Sequence, residues 1–282
     1  MDMSKGQGTA LVTGASAGIG AVYADRLAHR GYDLILVARD VAKLNALATR
    51  LIGETGVKVE VLRADLSNVD DIRKVEARLH ADDITVLVNN AGVAVAGPTV
   101  EMDPERLEAM IQLNVVVATR LARAVAPGLA QRRRGDIINI ASVVAIRGDQ
   151  PAISVGYGAS KAYLLAFSEG LDSELAPYGV RVQAVLPGVT RTELWEKGGL
   201  DINALPQDIV METGDMVDAA FAGLDQGERV TIPALPDISD WIAFKTARAA
   251  LLPNISHRLP AERYGRRSTD GSPLPRVPEH HG

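Results

Sequence analysis

Short β-branched and aliphatic runs alternate with longer segments at helical spacing through most of the chain, and this alternation constrains the fold more than any other feature. The strand-like runs are Ala10 to Thr13, Asp33 to Ala38, Val57 to Arg63, Ile84 to Asn89, Asp136 to Ala141, Arg181 to Leu186 and Val230 to Ile232. Between them the spacing predicts helices over Ile19 to His29, Val41 to Ile52, Val69 to Leu79, Pro104 to Gln131 and Tyr157 to Ala176. Strands separated by helices are joined by right-handed crossovers, so the expected class is α/β, a doubly wound parallel sheet covered on both faces. No Pro/Gly/Ser-rich linker interrupts the chain before Val230, and residues 1–235 are expected to form one domain. Residues 236–282 are expected to add an amphipathic helix, Ile238 to Leu252, and an irregular tail from Pro253 onward, rich in Pro, Arg and His.

Composition removes several function classes. The 282 residues include no cysteine, which excludes disulfides and thiolate metal sites, and the net charge is -5. A mildly acidic chain with no basic face is a poor match for nucleic acid. The one basic run, Arg132 to Arg134, precedes Gly135 and suits a helix C-terminus. Met1 to Gly8 lacks an apolar signal region and the long apolar runs are broken by charge, so a cytoplasmic protein without membrane spans is expected. The histidines, His29, His80, His257, His280 and His281, show no metal-ligand spacing with carboxylates, and no metal is expected.

Two patterns carry chemistry. Gly14, Gly18 and Gly20 lie in a turn, Thr13-Gly14-Ala15-Ser16-Ala17-Gly18-Ile19-Gly20, that follows the first strand and opens the first helix. Glycines let the backbone approach a pyrophosphate, and a helix N-terminus offers unpaired N–H groups and a positive dipole end. The second pattern is Tyr157 and Lys161. Residues four apart share a helix face, and an ammonium beside a phenol favours the phenolate, so this pair can exchange a proton with an alcohol near neutral pH.

Together with Asn89-Asn90-Ala91-Gly92 and Ser142, these motifs resemble the short-chain dehydrogenase/reductase family over roughly residues 9 to 235, in the family's order and at nearly its spacing. The resemblance implies a Rossmann-like fold and a nicotinamide dinucleotide. It assigns Gly14, Ser16, Gly18, Ile19 and Gly20 to the phosphate turn, and Asp65 with Leu66 to the adenine. Asp65 reads equally well as a turn residue. Asn90, Ala91 and Gly92 would pass beneath the adenine ribose, and Pro187, Gly188, Val189, Thr190 and Thr192 would lie at the nicotinamide amide. The cofactor is expected to be NADP rather than NAD, because Ala38 and Arg39 stand where NAD-using relatives carry a carboxylate. Ala17 occupies a place where some NADP-binding relatives carry a second basic residue.

For the chemistry, the resemblance implies Tyr157 as acid or base and Lys161 as the group that lowers its pKa and holds the nicotinamide ribose. Ser142 would bond the substrate oxygen, and Asn114 would position a water beside the lysine. The expected reaction is hydride transfer between nicotinamide and a carbonyl or alcohol carbon of a small molecule. Residues 190–215 would cover the substrate. Leu194, Trp195, Leu200, Ile202 and Met211, opposite Val143, Val144 and Ile153, would make that cover apolar or simply pack it on the core. Gly198-Gly199 is a possible hinge there. Apolar residues on more than one face of Val115 to Ala126 and Leu164 to Leu175 suggest a homodimer or homotetramer. The competing readings are a non-catalytic NADP-binding sensor or interaction protein and, with the same fold, an enzyme of another reaction such as dehydration or epimerisation.

Overall fold

The chain is described by a computed structural model over residues 7–147, 153–197 and 201–264. Its seven strands are Thr9–Thr13 (β1), Asp33–Ala38 (β2), Val59–Arg63 (β3), Ile84–Asn89 (β4), Gly135–Ile140 (β5), Val180–Val185 (β6) and Val230–Thr231 (β7). They form one parallel sheet in the order β3-β2-β1-β4-β5-β6-β7. The expected doubly wound, Rossmann-like class is therefore observed. Because the order reverses between β1 and β4, their C-terminal ends open on a crevice, the place where such sheets bind ligands.

Strand alternation decides which face each side chain covers. Ala10, Val12, Leu34 and Leu36 point to one face, under Gly18–His29 (α1), Val41–Thr55 (α2) and Thr213–Asp225 (α8). Leu11, Ile35 and Val37 point to the other, against Val69–Leu79 (α3) and Ala118–Arg132 (α5). Polar caps start several helices. Asp40 accepts from Lys43 N in α2, Asn68 from Asp70 N and Asp71 N in α3, and Asp103 from Glu105 N in Pro104–Ile111 (α4).

The helix expected over Pro104 to Gln131 is not uniform. A π-helical turn, Gln112–Val117, separates α4 from α5, while Pro127 sits inside α5 without ending it. By length and composition Pro104–Arg132 could span a membrane, but half of its apolar window is buried. Leu121, Val125 and Leu129 belong to the core under the sheet, so it is a core helix. Val155–Leu175 (α6) begins two residues before the expected start, because Ser154 caps it by accepting from Tyr157 N. The third strand is shorter than expected: Lys58 N turns to the Asp33 carboxylate just before Val59. A four-residue helix, Leu194–Lys197 (α7), lies in the expected cover. The residue pattern had assigned no element to α8, although Met216, Val217, Ala220, Phe221 and Leu224 fall at helical spacing and are buried.

One core side chain carries a cost. Tyr23 in α1 is fully buried against Phe221, with ring centroids 5.1 Å apart, and its hydroxyl has no partner. Burial also pushes its pKa far up. Tyr23→Phe should stabilise the chain by about 1 kcal/mol, since an unpaired buried hydroxyl is removed and little volume is lost. Urea unfolding at neutral pH checks this, and a lower midpoint would refute it.

By contact density the chain divides into units Met1–Ala234 and Leu235–Gly282. In the second, Asp237 caps Ile238–Leu251 (α9) by accepting from Ser239 N, and Leu252–Asn254 continues it as a single 3-10 turn. Ile242, Leu251, Leu252 and Ile255 are exposed. The part of the expected tail beyond residue 264 lies outside the described residues.

Candidate active site

The glycine turn is built for close approach. Gly14 and Gly18 have φ of 66° and 53°, which other residues rarely adopt. A Cβ on Gly14 would lie 2.7 Å from Asn90 Nδ2, and one on Gly20 would press into the Gly14 carbonyl. The turn is stitched to the end of β4 from below. Thr13 Oγ1 accepts from Asn90 N and Ala91 N, both at 3.0 Å, and Asn90 Nδ2 donates to Thr13 O at 2.8 Å. Asn90 thus shapes the loop through its side chain. Thr13, which the motif reading passed over, is a second clamp, and its signal was a threonine ending a strand directly before glycine.

At the N-terminus of α1, Ala17 offers no capping side chain and the first turn holds no acidic residue. The N–H groups of Gly18, Ile19 and Gly20 therefore need an outside acceptor, unlike those of α2, α3 and α4. This donor set fits a dinucleotide pyrophosphate. Ser16 and Ile19 are half-buried beside it. Arg39 follows β2 and is exposed. Ser67, whose N and Oγ both donate to Asp65 Oδ1, holds the Asp65 carboxyl below its usual value, helped by the Arg39 charge, so Asp65 does form a turn. Leu66 beside it is buried.

At the other end of the crevice, Tyr157 and Lys161 lie on one face of α6, both buried, with the Lys161 ammonium 5.7 Å from the Tyr157 ring centroid. Lys161 Nζ donates to Ile140 O at 2.8 Å, at the end of β5. Ser142, just beyond β5, donates to Pro187 O and accepts from Val144 N, both long at 3.4 Å, and its hydroxyl also meets the Tyr157 phenol. The titration differs from the sequence expectation. Burial pushes the Tyr157 phenol up to about 12, opposed by a hydrogen bond from Ser142, and burial pulls Lys161 down to about 8. Desolvation of the phenolate outweighs any help from the ammonium.

Asn114 sits in the π-helical turn, buried to 1% exposure. Both polar ends of its side chain are engaged: Oδ1 accepts from Val93 N, and Nδ2 donates to Val93 O and to Ser160 Oγ. A π turn loosens the regular i+4 ladder, so backbone carbonyls in this stretch can accept from a water. Ser160 in turn donates to Tyr157 O at 2.8 Å. This link between Asn114 and the Tyr157 helix was not foreseen. Gly92 packs on the same spot, where a Cβ would come 3.1 Å from Asn114 Oδ1 and 3.6 Å from Lys161 Nζ.

After β6, Pro187 O accepts from Val143 N, and Gly188 O from Thr190 Oγ1. Val189 O accepts from Met211 N, and Thr190 bridges to Met211, so the cover is closed at its base. Thr192 Cγ2 lies 3.3 Å from where a Cβ on Gly18 would be, which brings this segment onto the glycine turn. Beside Tyr157 the wall is apolar: Ala94, Val95, Met110 and Val144 are buried around it, with Ile153 and Leu194 packed against them. Trp195 Nε1 donates to Thr190 O at 2.8 Å, Ile202 is buried, and Met211 packs on the core, so part of the expected lining holds the cover down. Gly198, Gly199 and Leu200 lie outside the described residues. Among the described residues no group of His, Asp and Glu could hold a metal.

The chain resembles known proteins along most of its length. A short-chain dehydrogenase from Sphingobium yanoikuyae, solved in complex with NADPH, is 49% identical with a TM-score of 0.88, covering 92% of this chain and 100% of that one. A bulky-bulky ketone specific alcohol dehydrogenase from Comamonas testosteroni is 42% identical with a TM-score of 0.84, covering 92% and 99%. An uncharacterised oxidoreductase from Staphylococcus saprophyticus is 33% identical over 225 residues, 79% of this chain and 93% of its own length. The family model for short chain dehydrogenase matches residues 8–202, and with the glycine turn, Ser142, Tyr157 and Lys161 gathered at one crevice, the chain belongs to the short-chain dehydrogenase/reductase family of oxidoreductases.

Proposed function

We propose that this chain is an NADP(H)-dependent oxidoreductase that interconverts a carbonyl and an alcohol on a bulky, apolar small molecule, with Tyr157 as its acid and base. The observation that carries the reading is a buried phenol flanked by the Ser142 hydroxyl and the Lys161 ammonium and walled by Val95, Val144, Ile153 and Leu194. When bound, NADP(H) supplies the hydride chemistry. In the reductive direction the protonated Tyr157 gives its proton to the oxygen that was the carbonyl, Ser142 donates a second hydrogen bond to that oxygen, and the Lys161 cation stabilises the phenolate left behind. Oxidation runs the same proton back to Tyr157.

Two features support NADP over NAD. Arg39 is exposed directly after β2, where NAD-using relatives carry a carboxylate, and the Sphingobium relative was solved with NADPH. The apolar wall and the bulky-bulky ketone specificity named for the Comamonas enzyme support the substrate class. A cytoplasmic location and pairing of copies through α5 and α6 belong to the same reading, to be read from fractionation and light scattering.

The test is reduced-nicotinamide absorbance with NADPH and a panel of carbonyl compounds. Ketones with bulky apolar groups on both sides should be consumed faster than sugars by about tenfold or more, the discrimination that a few buried methylenes provide. A strong preference for sugars would overturn the substrate class. Silence across the panel with tight NADPH binding would overturn the enzyme reading in favour of a sensor.

A further inference from the structure

Besides Arg39, a second cation stands at the connection from β2 to α2. Lys43 is the third residue of α2, and its backbone N–H is held by Asp40, the residue directly after Arg39. Its ammonium meets Glu193 Oε1 at 3.1 Å, across 150 residues of sequence. Glu193 adjoins Thr192, the residue lying on Gly18, so this stretch runs from the glycine turn to α2. Its stem is fixed: Arg191 N donates to Met211 O, Thr213 Oγ1 donates to Arg191 O, and Arg191 Nε donates to Glu212. Glu193 is therefore carried to Lys43 by a pinned segment rather than by a loose loop.

The pair is half in solvent, with side chains 49% and 44% exposed. An exposed pair of single charges is weak, and a dianionic phosphate close to two cations outcompetes one carboxylate. We propose that Lys43 is a second cation for the 2′-phosphate end of NADP and that Glu193 competes with that phosphate for it. The inference rests on the NADP reading above. Lys43 then adds to the discrimination against NAD begun by Arg39, and filling the 2′-phosphate site frees Glu193 and the segment beside it from α2.

Titration of the full chain with 2′,5′-ADP and with 5′-AMP isolates the phosphate, since neither probe carries a nicotinamide and no turnover is involved. Wild type should prefer 2′,5′-ADP. Lys43→Met should weaken 2′,5′-ADP about fivefold and leave 5′-AMP unchanged, while Glu193→Gln should tighten 2′,5′-ADP about twofold, both effects shrinking with added salt. In the double variant the Glu193→Gln gain should vanish. Equal affinity of wild type for the two probes would overturn the NADP reading and this inference with it. A wild-type preference that survives Lys43→Met unchanged, or an equal loss for both probes, would overturn this inference alone. A Glu193→Gln gain that persists in the Lys43→Met background would overturn the competition.

Discussion

Tyr157→Phe is expected to lose about 10²–10⁴-fold in turnover, the range that a positioned general acid or base contributes. NADPH affinity should stay within about twofold, because the ring that Val95, Met110 and Val144 pack against is retained and no protein partner of the hydroxyl other than Ser142 is lost. The pH dependence separates this from a merely structural loss. With the phenol pushed up to about 12, Tyr157 is protonated throughout the neutral range, so reduction should be flat with pH there. Oxidation needs the phenolate, whose fraction rises about tenfold per pH unit below that value, and its rate should climb with pH in wild type. In the variant the residual oxidation should lose that slope. Wild-type-like turnover in Tyr157→Phe, measured under saturating NADPH, would defeat the assignment of the acid.

Much of this geometry could be read from local spacing, because the groups involved are set by secondary structure. Tyr157 and Lys161 share a face through the helical repeat, and Gly14, Gly18 and Gly20 open a helix directly after a strand; both follow from adjacent residues. What could not be read depends on contacts between distant segments. The π turn at Gln112–Val117 contains no Gly or Pro and keeps helical hydrophobic spacing, yet Asn114 bonds both backbone groups of Val93, 21 residues away. The Thr190 to Met211 bridge and the Lys43–Glu193 pair are likewise invisible to any short window. The pKa of Tyr157 fails for a related reason. Spacing announces a neighbouring charge, whereas the burial that dominates here is a property of the packed wall. α8 is a different case, since Met216, Val217, Ala220, Phe221 and Leu224 repeat at helical intervals and the helix could have been read from spacing.

Lys161→Met is expected to lose at least about 10²-fold in turnover and yet to make the folded chain more stable at neutral pH, because the charge that serves the chemistry is one that folding must desolvate. Burial lowers the Lys161 pKa from 10.5 in the unfolded chain to about 8 in the folded one. For a base lowered in this way the unfolded state binds the proton more tightly. The cost to folding is therefore fully present below pH 8, fades as pH rises from 8 to 10.5, and is gone above. At about 1.4 kcal/mol per unit it amounts to about 3 kcal/mol, from which the hydrogen bond to Ile140 O, lost in the variant, returns about 1–2 kcal/mol. The methionine stem fills most of the same space, so the net gain at pH 7 should be about 1–2 kcal/mol. It should reverse sign by pH 10.5, where the neutral lysine of wild type keeps its hydrogen bond without a desolvation cost. Urea unfolding of both proteins at neutral and alkaline pH measures the difference directly. A variant less stable than wild type by the same amount at both pH values would mean that folding leaves the Lys161 pKa unchanged, so that its charge carries no desolvation cost.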